Sequence, residues 1–478
     1  MNYEAVIGLE IHVELSTKTK IFCSCENAFG GEENTHCCPV CLGLPGSLPV
    51  MNRSVVDYAA KAGLALNCEI APVSYMDRKN YHYPDMTKDY QISQRHVPIC
   101  QRGHLSLTDE DGTPFTIGIT EIHMEEDAGK LVHLQSRPYS RADYNRASVP
   151  LIEIVTEPDF RSASQVRVFL TALREILIAL GVSDCRMEEG SMRCDVNISV
   201  RPAGSEVLGT RTETKNVNSL RSVSRVIDFE IRRQSAALTR GEAIEQQTLR
   251  WDDELGEAYA MRDKEDSHDY RYFPEPDIPP IVIDAEHLDA LRAQLPELPA
   301  QKRARYTQLG IAENDAHLLA TTPWMHPLMD GAIARKADAK TAANWLIGPL
   351  SALWNESAAA GKPLPFGADA YAEFVLLVHG NKINSSGAKT LLEAMVQTGK
   401  EVSEIVREKA LLQLEDRNAL MAVAREVVEE NPKAVADYLG GKEKAFTSLQ
   451  GAAMKKTRGK ANPRLMRELI LELIQPSK

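Results

Sequence analysis

The stretch Gly8-Leu-Glu-Ile-His-Val-Glu-Leu15 places Glu10, His12 and Glu14 at every second position, with Leu9, Ile11, Val13 and Leu15 between them. A period of two belongs to a β-strand, whose successive side chains point to opposite faces. The apolar set enters a core, and two carboxylates and an imidazole share the other face. The device recurs along the chain. In ITEIHMEEDAGK, Glu121, His123, Glu125 and Asp127 share a face, with Glu126 beside them. RMEEGSMRCDVNISV adds Glu188, Glu189, Asp195 and Asn197, and TETKNVNS adds Glu213 and Lys215. Any one such face reads as the solvated side of an antiparallel sheet. If the strands are neighbours, many carboxylates converge with few bases, and each desolvated, unpaired ion costs several kcal/mol. Divalent cations resolve that conflict, and oxygen-rich sets with an occasional imidazole suit Mg2+ or Mn2+ better than Zn2+.

Working outward, residues 1 to about 290 are rich in short alternating or apolar runs: AVIGLEIHVEL, TIGITEIHM, PLIEIVTE, CDVNISV and IPPIVID. Helical patterns are fewer, the clearest being SASQVRVFLTALREILIALG, with Ser164 as the expected cap and Gly181 at the stop, and SLRSVSRVIDFEIRRQSAAL. The fold class predicted is α+β with a substantial antiparallel sheet. Prolines cluster from Pro274 to Pro299, and the strand pattern disappears after them. Boundaries near 295 and 405 give three domains, 1–295, 296–405 and 406–478, the last two helical. Ala342 to Trp354 is Ala- and Trp-rich, and Leu420, Val423, Ala424, Val427 and Val428 mark one face of an amphipathic helix.

Five of nine cysteines crowd into Cys23 to Cys41. Cys23 with Cys25, then Cys38 with Cys41, read as two chelating pairs for tetrahedral zinc in a closed structural site, with Cys37 able to replace Cys38. The alternative is reduced surface cysteines without metal. Cys68, Cys100, Cys185 and Cys194 stand alone and read as small core residues. Neither a Walker-type phosphate loop nor a dinucleotide-binding glycine motif is present, so a nucleotide would be held by metal and scattered bases. DRKNYHYPDMTKDYQISQ supplies Arg78, Lys79 and Lys88 for phosphates among Tyr81, Tyr83 and Tyr90 for base stacking, or forms an ordered polar loop. INSSGAK reads as a helix cap at Ser385 or Ser386, not a nucleophile.

The composition, 43% hydrophobic with a formal charge of -12, is that of a globular protein. It disfavours general binding to nucleic acid. The charge is uneven, however. Lys442, Lys444, Lys455, Lys456, Arg458, Lys460, Arg464 and Arg467 face one acid, Glu443, a pattern of either a solvated helix face or an RNA-contacting surface. No apolar run is long enough to span a bilayer, and the first residues lack a signal-peptide pattern, so the cytoplasm is expected.

GLEIHVEL, CPVCLGLPGSLPVMN, DRKNYHYPDMTKDYQISQ, HMEEDAGK, MEEGSMRCDVNIS, TKNVNS and DYRYFPEPDIPP closely resemble the B-subunit family of aspartyl/glutamyl-tRNA amidotransferases, and GKEKAFTSLQGAAMKKTRGKANP resembles its tail domain. The resemblance implies a cradle related in fold to glutamine synthetase, a helical middle domain and a tail that contacts tRNA. It implies a heterotrimer with an amidase (glutaminase) partner, which releases ammonia from glutamine, and a small third partner. ATP phosphorylates the side-chain carboxylate of misacylated Glu-tRNA(Gln) or Asp-tRNA(Asn), and ammonia displaces phosphate. The family's Mg2+ and ATP region falls on Glu10, His12 and Glu125, while Lys79, Glu188, Asp195 and Lys215 sit in matching motifs. Glu10, His12, Glu125, Glu126 and Lys79 are thus the catalytic candidates; Arg78, Lys79, Lys88, Glu188, Asp195, Asn197 and Lys215 are the nucleotide-binding ones. One departure stands in DYNRASVPLIEIV, where Ser148 replaces a usual glycine that would serve a positive φ or a close approach. Competing readings are a glutamine-synthetase-like ligase on a free small acid and a non-catalytic, zinc-stabilised tRNA-binding scaffold.

Overall fold

The computed structural model describes residues 2–134, 137–261, 269–359, 361–414, 416–457 and 460–474. Nine strands form one sheet in the order Glu257–Ala260, Gln247–Asp252, Thr212–Val217, Met192–Pro202, Tyr3–Glu14, Pro150–Thr156, Pro114–Glu126, Cys100–Thr108, Glu69–Ile70. All neighbours are antiparallel except Thr212–Val217 with Gln247–Asp252. The opening octapeptide thus lies in the middle of the sheet, flanked by Met192–Pro202 and Pro150–Thr156.

Alternation on these strands divides the sheet into two chemically distinct faces. Leu9, Ile11, Val13, Ile122, Met124, Ile152, Ile154, Cys194 and Val196 are buried in a common core with the apolar sides of helices Arg53–Ala65, Ala163–Ala179 and Leu220–Thr239. Each of those helices begins at a side-chain cap: Asn52, Ser162 and Ser219 accept from the amides of Ser54, Gln165 and Ser222. Ser162, not Ser164, is therefore the cap of the second. Its backbone is extended, as a cap requires, and the Ser164 hydroxyl bonds Asp109 instead. The expected Gly181 stop is at φ +68 just past the helix. Cys68, Cys100, Cys185 and Cys194 are buried core residues.

The chain divides into two compact units, Met1–Leu298 and Pro299–Lys478. Described residues of the second unit form helices with two apolar cores, one over residues 306–406 and one over 420–474. In Arg417–Glu430, Leu420, Ala424 and Val427 are buried, the face expected from their spacing. The Ala342 to Trp354 helix is not regular. Pro349 lacks a donor, and Leu346–Leu350 widens to a π turn between Ala339–Trp345 and Ser351–Ala359. Asn384, not Ser385 or Ser386, caps Ser385–Thr398 by accepting from the Gly387 amide. IPPIVID yields only the two-residue strand Ile281–Val282, because its prolines lack ladder donors. Among the described residues no helix is long and apolar enough to cross a membrane.

One contact shows how closely helix and sheet approach. A Cβ built on Gly63, within Arg53–Ala65, would lie 2.4 Å from Cys100 Sγ and 2.8 Å from Ile70 Cδ1. Gly63→Ala gains up to about 1 kcal/mol of helix propensity, but overpacking costs about 1–3 kcal/mol. The expected result is net destabilisation, read as a lower midpoint in urea unfolding.

Candidate active site and cysteine cluster

Register places the acidic faces side by side. His12 lies opposite Glu153, and Glu153 opposite His123; Glu10 lies opposite Asp195, and Asn197 opposite Glu213. Side chains directly opposite in antiparallel strands share a face. Between the pairs Cys194–Val217 and Val196–Thr214 the register shifts, so that Thr212–Val217 carries an extra residue opposite Asp195 and bulges there.

Two groups of ligand atoms result, each closing within 4.8 Å: His12, Glu125 and Glu153, and Glu10, Asp195 and Glu213. The expected set of Glu10, His12 and Glu125 is thereby divided. Residues two apart on a strand share a face but lean toward different neighbouring strands. Glu153 is a site residue that sequence reasoning does not assign. It sits in PLIEIVTE, which reads as an apolar strand, and its one signal is an acid inside the otherwise apolar stretch Leu151 to Val155.

In the first group His12 Nε2 lies 3.5 Å from Glu125 and 3.4 Å from Glu153, and His123 Nε2 lies 3.1 Å from Glu153. The Ser93 hydroxyl donates to Glu125 at 3.3 Å. Burial opposes charge on His12, but the Glu153 and Glu125 carboxylates outweigh it and raise its pKa to about 9. Burial likewise opposes ionisation of Glu125 and Glu153, yet the two histidines hold both below the usual carboxylate range.

The second group is short of cations. Burial, then repulsion from Glu153 and Glu213, raises Glu10; burial raises Asp195 against the pull of Lys215. Asn197 Nδ2 donates to Glu10 at 3.0 Å, and its buried Oδ1 has no hydrogen-bond partner. Lys215 is 3.3 Å from Glu213. Converging carboxylates, a positioned amide oxygen and too little positive charge form a donor set that fits a hard divalent cation.

The remaining expected residues fall around these groups with unequal freedom. Lys79 Nζ sits 4.9 Å from the Tyr270 ring and 5.8 Å from Tyr81. Glu126 is buried and accepts from Lys88 at 2.7 Å, the Ile92 amide at 2.9 Å and the Ser148 hydroxyl at 2.7 Å. It braces the strand end and belongs to neither group. Arg78 forks onto Glu275 at 2.6 and 2.9 Å, reaches Asp277 at 3.1 Å and stacks on Tyr90, so it is tied into the fold. Glu188 is exposed in a turn and joins neither group. Ser148 has φ +63, the conformation that glycine suits, and its hydroxyl bond to Glu126 holds it there.

Cys23, Cys25, Cys38 and Cys41 bring their sulfurs within 4.8 Å of one another, with Cys38 and Cys41 sulfurs 3.9 Å apart. A Zn–S tetrahedron with bonds of about 2.3 Å has edges of about 3.8 Å. The Cys38 amide donates to Cys41 at 3.1 Å. Hydrogen bonding from Cys23, with that amide, lowers the Cys41 pKa to about 4 against the effect of burial. The donor set fits zinc. Cys37 turns away, its sulfur 3.8 Å from Asn145 Oδ1.

An acid-lined, mostly antiparallel sheet with a separate helical unit defines the class, and residues 5–289 match the family model described as GatB/GatE catalytic domain, residues 328–474 that described as GatB domain. The chain belongs to this family. It is 49% identical to the B subunit of the aspartyl/glutamyl-tRNA(Asn/Gln) amidotransferase of Caldicellulosiruptor bescii over 99% of this chain and 100% of that protein. The B subunit of the same name from Carboxydothermus hydrogenoformans is 50% identical over 98% of each.

Two outcomes follow from this geometry. An imidazole ligates only when neutral, and His12 stays protonated up to about pH 9. Divalent-ion affinity of the first group therefore rises about tenfold per pH unit from pH 7 toward 9, with about one proton released per ion, as calorimetry in buffers of different ionisation enthalpy would register. Ser148→Ala keeps the positive φ and loses the hydroxyl bond to a buried carboxylate, lowering unfolding stability by about 1.5–3 kcal/mol.

Proposed function

We propose that this chain is the transamidating subunit of a glutamine-dependent amidotransferase acting on Glu-tRNA(Gln), Asp-tRNA(Asn) or both. The observation that carries the reading is the pair of carboxylate groups on one sheet face, together with full-length similarity to proteins of that name. A carboxylate resists ammonia because its leaving group would be oxide. ATP removes that obstacle: a side-chain carboxylate oxygen bonds to the γ-phosphorus as the bond to ADP breaks. Ammonia then bonds to the acyl carbon, loses a proton and expels phosphate.

His12, Glu125 and Glu153 would hold one Mg2+, and Glu10, Asp195 and Glu213 a second. Bound there, the ions would neutralise the charge of the transferring phosphoryl group. The chain's own residues supply the positioning. Ser93 and His123 fix Glu125 and Glu153, and Asn197 fixes Glu10. Lys79, among Tyr81 and Tyr270, presents a cation to a phosphate or to the substrate carboxylate. Held geometry of this kind is worth about 7–11 kcal/mol of barrier. The polar sheet face supports a glutamine-synthetase-like cradle, and the four cysteines support a structural Zn2+ apart from the chemistry.

Ammonia must arrive unprotonated, which calls for an amidase partner that makes it from glutamine, with a small third protein completing the heterotrimer. Residues 406–478 are read as a tRNA-contacting tail and 296–405 as the helical body before it. In the tail, Lys442 and Lys456 are paired with Asp437, Glu426 and Glu430. Arg458 lies outside the described residues. Among those described, Lys444, Lys455 and Lys460 are exposed and make no ion pair, leaving them for phosphates.

The test is amidation of Glu-tRNA(Gln) by the assembled complex with ATP, Mg2+ and ammonium. Glu153→Gln and Glu213→Gln are each expected to slow product formation by at least about 100-fold, while Glu188→Gln stays within about threefold. Retained activity in both would remove the proposed ligand groups. Reversing Lys444, Lys455 and Lys460 to Glu should raise the KM for charged tRNA and flatten its salt dependence, leaving ATP unaffected.

A further inference from the structure

Lys20 is completely buried, and nothing in the chemistry above uses it. Its ammonium donates to the carbonyls of His36 and Ala147, each at 2.8 Å. Both partners are neutral, and among the described residues no carboxylate forms an ion pair with it. A buried ammonium needs a counter-charge to offset its lost hydration. One of its two partners, His36, stands one residue before Cys37 and two before Cys38. The Lys20 amide also donates to the Cys25 carbonyl at 3.0 Å, so the residue is bonded to both arms of the cysteine ribbon. Four thiolates around one Zn2+ leave two negative charges in excess, and a buried cation beside them offsets part of it.

The two carbonyls belong to different segments. His36 lies in the cysteine ribbon, and Ala147 in the 145–149 loop that ends against Glu126. Further bonds follow the same seam: the His36 amide to Asn145 Oδ1 at 2.8 Å, Asn145 Nδ2 to the Glu32 carbonyl at 2.7 Å, and the Ile21 amide to the Ser148 carbonyl at 3.1 Å. Beyond the loop, Ser148 holds Glu126, and the Ser148 amide donates to the Asp127 carbonyl at 3.0 Å. Asp127 in turn pairs with Arg193, which lies opposite His12 in the sheet.

We infer that Lys20 is a positioning residue for the four-cysteine site, supplying its buried counter-charge and tethering the metal-bound ribbon to the loop that braces Glu126 and Asp127. This rests on the zinc reading of Cys23, Cys25, Cys38 and Cys41. A site built this way couples metal occupancy to the order of the adjoining end of the sheet.

The experiment uses the full chain in its assembled complex. Zinc content is measured by elemental analysis, zinc release by a chromophoric chelator, and amide exchange by mass spectrometry with and without zinc. Wild type should carry one zinc per chain. Lys20→Met should lose it about 10–100-fold faster, and Lys20→Arg, which keeps the charge, should restore retention to within a few-fold. Zinc removal from wild type should speed exchange at the Ile21 and Ser148 amides. A folded Lys20→Met that holds zinc as firmly as wild type overturns the counter-charge role. Unchanged exchange in zinc-free wild type overturns the tether and needs no variant. Wild type that neither contains nor takes up zinc removes the zinc reading itself, a result distinct from zinc-replete wild type with an indifferent Lys20→Met.

Discussion

The constraint on which the rest of this structure depends is charge balance on one face of one sheet. Six metal-competent side chains from five strands meet there in two groups. The first group is balanced from within, because two histidines lie against Glu125 and Glu153. The second is not, and burial with mutual repulsion pushes Glu10 and Asp195 toward their neutral forms. Such a face is unfavourable to build unless something positive occupies it for part of its working life. That unmet charge suits hard cations and the phosphates they accompany.

A face of this kind needs a stiff support. The opposite side of the same strands is an apolar surface covered by three helices, and the Gly63–Cys100 contact leaves no room for an added methyl group. Around the rim, polar groups fix one another. Glu126 gathers Lys88, Ser148 and a backbone amide, and Arg78 gathers Glu275 and Asp277. These residues carry the charge expected of ligand-binding groups, but their donors and acceptors are already engaged. Lys79, set among tyrosines without an ion pair among the described residues, is differently placed.

Much of the site was legible because strand periodicity is local. Glu10, His12 and Asp195 stood out as polar positions alternating with apolar ones, and Glu125 and Glu213 as acids at every second place of strand-like segments. Glu153 did not, since its segment reads as a continuously apolar strand and its partners lie on strands distant in sequence. The cysteine pairs were legible from spacing, whereas the preference for Cys38 over Cys37 required the turn that directs one sulfur inward and the other toward Asn145. Caps were misplaced by one or two residues, at Ser162 and Asn384, because runs of small polar residues offer several equivalent caps and only the backbone selects among them.

The sequence by itself determined which faces of the strands are polar, where strands give way to helices, and which residue types line the polar face, because all of these follow from side-chain alternation and composition along the chain. Tertiary structure alone decided strand order and register, and with them the partition of the acids into two groups, the locking of Arg78 and Glu126, and the burial of Lys20 between the cysteine ribbon and the Ser148 loop. The physical reason is that pairing depends on contacts between segments far apart in the chain. Two residues two apart on one strand, Glu10 and His12, share a face by local geometry, yet their neighbours on either side assign them to different sites.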